Sequence, residues 1–249
     1  MQPLRVKEET KLEFYKDFYK NKSIAWMDNY GQDEKGYYVI LSSTIFYPHG
    51  GGQKGDRGKI IIPDEVSKKI SFNELTIVDT RKDIQGSEVF IRHYLKESLE
   101  GLDMDALMLG REYILEIDWN FRNTQMKLHA VAHILHFFIE QETGTKIPYP
   151  KISDLGEDSG LNSYGQKKLI EEDNFSKAIE KFNKWSKEGY SIKTYSDEEK
   201  GASFRWWECE QWRVPCGGTH LNNTKEIGEI EAILSSKKKS TNIVFSLKN

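Results

Sequence analysis

His129 and His133 lie in the stretch 126–142, where Ala130, Ile134, Phe137 and Phe138 recur at helical spacing with no Gly or Pro between them. Residues i and i+4 share one face of a helix, so the two imidazoles stand one above the other. A helix supplies two nitrogen ligands to zinc in this way. A lone pair of this kind is a weak signal. The second half of the constellation is Cys216-Gly217-Gly218-Thr219-His220, following Pro215. Two glycines let the backbone turn tightly enough for the thiolate and the imidazole to face one point. Neutral imidazoles and a thiolate are the N/S donors that zinc prefers. Residues 134–215 separate the halves, too long a span for a zinc finger, so a folded domain must bring them together. Four protein ligands describe a closed site, whereas a catalytic zinc keeps a position open. His129, His133 and Cys216 are therefore expected as firm ligands, with His220 as the fourth ligand or a close neighbour. His136, one turn beyond His133, is read as a neighbour in the pocket wall. His49 and His93, in a loop and a strand, are read as structural or solvated.

The other candidate tract is Thr44-Ile-Phe-Tyr-Pro-His-Gly-Gly-Gly-Gln53-Lys-Gly-Asp56-Arg-Gly58. Its glycines allow close backbone approach to a ligand, which Gln53 and Asp56 are placed to hydrogen-bond. Gly51-Gly52-Gln53 also matches the tripeptide of peptide-release factors, but nothing else in the chain supports that reading.

The elements that must position these residues fall into two parts. Up to about residue 115 the chain reads as mostly β. Strands are expected at 23–29 and 37–41, flanking a loop at 31–36, and at 59–62, 76–79, 89–95 and 113–118, with a short helix at 12–19. Such spacing suggests a small barrel or sandwich. Beyond it, helices are expected at 126–142, stopped by Gly144 and Pro148, and at 166–189, an amphipathic stretch. Strands are expected at 191–195, 204–208, 227–235 and 241–247, which makes an α+β domain.

The composition of the 249 residues is that of an ordinary globular chain, 37% hydrophobic and 30% charged. No run approaches the roughly 20 apolar residues of a membrane span. No apolar stretch follows the N-terminus, so a cytoplasmic location is expected. Two cysteines, Cys209 and Cys216, argue against a disulfide framework. A net charge of −3 argues against indiscriminate nucleic-acid binding but leaves room for a local basic patch. Lys237-Lys238-Lys239, Lys54, Arg57, Arg122 and Lys127 are its candidates.

Taken together, these residues resemble the alanyl-tRNA editing proteins, free-standing relatives of the editing domain of alanyl-tRNA synthetase. The resemblance runs in order along most of the chain. It passes through Tyr15-Lys-Asp-Phe-Tyr19, Thr44-Ile-Phe-Tyr-Pro48, Gly50-Gly-Gly-Gln53-Lys-Gly-Asp56-Arg-Gly58, Asp118-Trp119 and Arg122. It then takes in His129-x-x-x-His133, Arg205-Trp206-Trp207, Pro215-Cys216-Gly-Gly-Thr-His220 and Glu226-Ile227-Gly228. The similar editing domain of threonyl-tRNA synthetase usually carries a different pair inside its Cys-x-x-x-His turn, which favours the alanyl branch.

The resemblance implies an α+β protein in two parts. A small β-barrel-like N-terminal domain (1–115) carries the glycine-rich motif. An α+β editing domain (116–249) follows, with helices packed on a mainly antiparallel sheet. It implies one Zn²⁺ per chain on His129, His133, Cys216 and His220, and a serine-sensing role for Thr44. With Gln53, Thr44 forms the expected catalytic pair. It further implies a tRNA partner and hydrolysis in trans, since nothing resembles the synthetase's aminoacylation or tRNA-recognition domains. The chemistry has a physical rationale. A small apolar site rejects serine or glycine in favour of alanine by only about 100-fold, so a second, hydrolytic site corrects the errors. Three departures stand out: Ser42 replaces a common acidic residue, 146–163 lacks the usual polar pattern, and 237–244 lacks the common basic motif. Three other readings stay open: a zinc hydrolase of small molecules, a non-catalytic tRNA-binding protein, and a deacylase of serine-charged threonine tRNA.

Overall fold

The computed structural model describes residues 9–108, 110–201, 204–237 and 239–248. Lys238 of the basic run lies outside them. Contacts divide the chain into two compact units. The first holds the residues up to Gly50 and Lys54–Arg122; the second holds Gly51–Gln53 and the residues from Asn123 onward.

In the first unit six strands close on themselves in the order Lys22–Asp33, Gly36–Leu41, Glu88–Leu95, Glu74–Gln85, Gly58–Ile61 and Glu112–Ile117, the last pairing with the first. Every pairing in this barrel-like ring is antiparallel. Side chains alternate across a strand. Val39, Leu41, Ile60, Leu75, Ile77, Tyr113, Leu115 and Ile117 thus point into a common core, while Ile24, Trp26 and Ile114 face outward. The expected loop at 31–36 is tighter than its composition suggested. Asp33 pairs with Gly36, and the Asp33 carboxylate accepts from Lys35 N at 2.8 Å. The expected helix at 12–19 is instead a two-residue strand, Lys11–Leu12, paired in parallel with Ser43–Thr44, and one 3₁₀ turn, Glu13–Tyr15. Asp17 stops its continuation by accepting from Tyr19 N, a local alternative to the helical bond.

The second unit contains the long helix Trp119–Thr143 from Asn123 onward. It also contains a four-stranded antiparallel sheet in the order Ile230–Lys237, Ser240–Leu247, Ser159–Tyr164, Ile152–Leu155, and a three-stranded one of Ile192–Ser196, Arg205–Cys209 and Trp212–Pro215. The fold is α+β with mainly antiparallel sheets. The second helix starts at Glu172, later than the expected 166. Thr241 binds the preceding segment, its hydroxyl donating to Gln166 O at 2.8 Å and accepting from Leu169 N at 3.0 Å. The strand expected from 227 starts at Ile230, because Thr224–Glu226 forms a capped 3₁₀ turn and Gly228 adopts a positive φ of 80°. No helix among the described residues is long and apolar enough to cross a membrane.

Candidate metal centre

The long helix is buried over most of its surface. Met126, Leu128, Ala130, Val131, Ile134, Leu135 and Ile139 have no exposed area. The apolar spacing gives it a strong packing stripe, and Gly144, at φ 68°, ends it by donating to Glu140 O. His129 is buried and His133 is partly exposed on one face of this rod. Across from it, the strands Arg205–Cys209 and Trp212–Pro215 form a hairpin. Their ladder is extended by Cys216 N donating to Arg205 O at 3.0 Å, so Cys216 emerges at a fixed point.

Three imidazoles meet at that thiol. Nε2 of His129, His133 and His220 lie 3.3, 3.3 and 3.2 Å from Cys216 Sγ. The ligand atoms of these four residues all fall within 4.8 Å of one another. Tetrahedral zinc, with bonds of about 2.3 Å to sulfur and 2.0 Å to nitrogen, sets its S and N ligands roughly 3.5 Å apart. The observed spacing is close to that, and all three histidines present the same nitrogen, so the donor set fits a zinc ion. His220 approaches the thiol as closely as the other two.

Burial sets the protonation states. It lowers the His129 pKa to about 4, opposed by a hydrogen bond to the Thr219 backbone. It holds His133 and His220 well below 6.5, where neighbouring histidines depress them further. Burial also pushes the Cys216 thiol up to about 11, against a backbone hydrogen bond from Gly218. The imidazoles are therefore neutral and ready to ligate, while a cation must displace the thiol proton.

Gln53 sits in the same unit with no exposed surface. Gly52 fixes it in place. Leu155 N donates to Gly52 O at 2.8 Å, and a Cβ on Gly52 would fall 2.1 Å from Ser153 O at a φ of 86°. Gln53 Nε2 donates to Thr219 Oγ1 at 2.7 Å. Its Oε1 accepts from Thr219 N at 3.0 Å and lies 3.3 Å from His129 Nδ1. Gly218 packs flat on this pair: a Cβ there would be 2.1 Å from His129 Cε1 and 2.9 Å from Gln53 Oε1. Trp207 forms a wall, fully buried, with its ring 5.1 Å from that of His133.

The other expected residues take different places. Thr44 belongs to the first unit and is fully buried, its hydroxyl bonded to His93 Nε2 at 2.8 Å and accepting from Phe46 N at 3.0 Å. Asp56, read as a ligand-binding group, is instead buried beneath Arg122. It also accepts from Tyr47 N at 2.6 Å, while Arg122 donates as well to Phe18 O and Ile45 O. A carboxylate so occupied is a structural anchor. His136 stays outside the four-residue group, with Nδ1 3.1 Å from the Tyr164 hydroxyl and its ring stacked on Tyr149. Thr219's part was not legible from residue type: a threonine in a glycine turn carries no signal until its partner Gln53 is known.

Comparison with known proteins adds to this geometry. The family model described as "Threonyl and Alanyl tRNA synthetase second additional domain" matches residues 207–244, which include Trp207, Cys216 and His220. The "Alanyl-tRNA editing protein AlaX-M" of Pyrococcus horikoshii is 29% identical over 208 residues, 80% of each chain. An "Alanine--tRNA ligase" of Saccharolobus islandicus is 30% identical over 79% of this chain, and one of Sulfurisphaera tokodaii is 30% identical over 90% of it. The chain spans only 22% and 24% of those two ligases. In its motifs and over four-fifths of its length, the chain is similar to an alanyl-tRNA editing protein.

Proposed function

We propose that this protein is a trans-acting aminoacyl-tRNA deacylase that removes serine, and also glycine, from mischarged alanine tRNA in the cytoplasm. In this reading the N-terminal part, 1–115, carries the glycine-rich motif and the part 116–249 carries the reaction centre. His129, His133, Cys216 and His220 hold one zinc ion, which when bound supplies a Lewis acid for an ester carbonyl or a water. The neutral imidazoles, those of His129 and His220 buried, keep their lone pairs on the site, and Trp207 helps to exclude bulk water from it. Thr44 reads the serine hydroxyl, which alanine lacks.

The observation that carries the proposal is the convergence of three Nε2 atoms on one thiol in a chain similar to an alanyl-tRNA editing protein. The decisive experiment measures serine release from serine-charged alanine tRNA and serine-charged threonine tRNA, with alanine-charged alanine tRNA as control. Release from the mischarged alanine tRNA alone, abolished by chelator, is expected. The matching family description covers threonyl as well as alanyl synthetases, so preferential release from threonine tRNA would transfer the proposal to that substrate. Hydrolysis of no ester would leave a binding protein.

A further inference from the structure

We propose that Gln53 is a positioning residue, whose amide oxygen holds His129 with its proton on Nδ1 so that the Nε2 lone pair faces Cys216 and the cation beside it. The inference rests on the zinc reading above, but its logic starts from Thr219. A backbone N–H only donates, so the Gln53 atom that it meets at 3.0 Å is the amide oxygen. The opposite end of the amide then carries the hydrogens, which suits its 2.7 Å bond to Thr219 Oγ1. The amide orientation follows from the network and allows no flip. An oxygen that only accepts requires its neighbour at 3.3 Å, His129 Nδ1, to be the donor. A neutral imidazole has one N–H, so Nε2 is left bare, and Nε2 is the atom 3.3 Å from Cys216 Sγ.

The surroundings hold this arrangement rigidly. Gln53 has no exposed surface, and both ends of its amide are engaged by Thr219. Gly218 lies so close against ring and amide that an added Cβ would clash with both. A metal-bound histidine usually gives its second N–H to a carbonyl or carboxylate, and removing that acceptor weakens the metal by about 10–100-fold. Gln53 thus acts through His129 and makes no contact with substrate, although its glycine-rich setting suggests a ligand-binding loop.

Two variants test this. Gln53→Met keeps the length but removes the side-chain acceptor, leaving His129 only its hydrogen bond to the Thr219 backbone; Gln53→Glu keeps an acceptor for both Thr219 N and His129 Nδ1. Zinc affinity is measured by competition with a chromophoric chelator, with circular dichroism as the check on folding. The expected result is a loss of about 10–100-fold in Gln53→Met and near-complete rescue in Gln53→Glu. Zinc affinity unchanged in Gln53→Met, with hydrolysis lost, would overturn the proposal and make Gln53 a substrate contact. A second readout needs no metal: nitrogen-15 NMR of His129 in the zinc-free protein. Protonation on Nδ1 in the wild type, scrambled in Gln53→Met, supports the proposal even if the protein binds no zinc, in which case the zinc reading alone fails. Protonation on Nε2 in the wild type overturns it.

Discussion

Thr44 and His93 form a pair whose proton positions their neighbours dictate. His93 Nδ1 lies 3.2 Å from Val39 O, an acceptor, so in the neutral ring Nε2 is bare and takes the Thr44 hydroxyl proton. Thr44 Oγ1 also accepts from Phe46 N, which leaves one lone pair. Thr44 is therefore an acceptor only, matched to a hydroxyl that donates. Thr44→Val is expected to slow serine release by about 10–100-fold, the loss of one buried hydrogen bond, while glycine release stays the same. Deacylation rates on the two esters check it; equal slowing would show that Thr44 shapes its loop only. His93 carries a second prediction, about pH. Burial lowers its pKa to about 4 from 6.5. A depressed histidine stabilises the fold above the unfolded value, and this contribution is lost as pH falls through the window from 6.5 to 4, where only the unfolded chain takes the proton. The wild type should lose about 3 kcal/mol more than His93→Gln between pH 7 and 4. Urea titrations of both proteins across that range measure the difference, and parallel curves would refute it. The buried His93 is structural, as one of its two expected roles had it, but its pairing with Thr44, 49 residues away in sequence, was not legible.

At the scale of elements, legibility followed the strength of the periodic signal. The helix over 126–142 stood out because apolar residues cover it without a breaker, and the structure extends it to Trp119–Thr143. The ring strands Gly36–Leu41, Glu88–Leu95 and Glu112–Ile117 were visible as short apolar runs. Ile152–Leu155 and Ser159–Tyr164 were not visible. They are rich in Ser, Asp, Asn and Gly, and their pairing with Ser240–Leu247 is a tertiary fact that local propensity does not encode. The helices Asp64–Ile70 and Met104–Met108 were too short for a helical period to show. The turn 216–220 was legible as a ligand pair, yet why its second glycine must be glycine emerged only from packing. Gly218→Ala sets a methyl 2.1 Å from His129 Cε1 and 2.5 Å from Nδ1, so ring or turn must move. The expected outcome is a zinc affinity at least about 10-fold weaker with secondary structure retained, since ligand rings need near-ideal geometry. Isothermal titration with zinc reads it, and wild-type affinity would mean that the turn yields freely.

For the whole molecule, the four-residue group draws together parts of the chain that are remote in sequence. The ligands at 129 and 133 come from a helix, those at 216 and 220 from a turn, and residues 134–215 intervene. These four positions were readable from residue type and spacing. The support from Gln53 and Thr219 was not, since it depends on a contact 166 residues apart in sequence. An unfolded chain cannot assemble such a site, so on the proposed zinc reading the ion would bind the native state and stabilise it by mass action. At a free zinc concentration 100 times the dissociation constant the gain is about 2.7 kcal/mol. If the second unit, which holds the four residues, melts as one cooperative unit, that raises its melting temperature by about 10 °C. Chelator should therefore lower the melting temperature by that amount at neutral pH, and zinc returned in excess should restore it. In Cys216→Ser the thiolate is gone, and the melting temperature should no longer depend on zinc. His136→Gln removes an imidazole on the same helix but outside the four-residue group, so the full response should remain. Differential scanning calorimetry of the three proteins, with and without zinc, provides the comparison. An equal response in the wild type and Cys216→Ser would place the stabilising ion elsewhere, and a response lost in His136→Gln would bring that residue into the site.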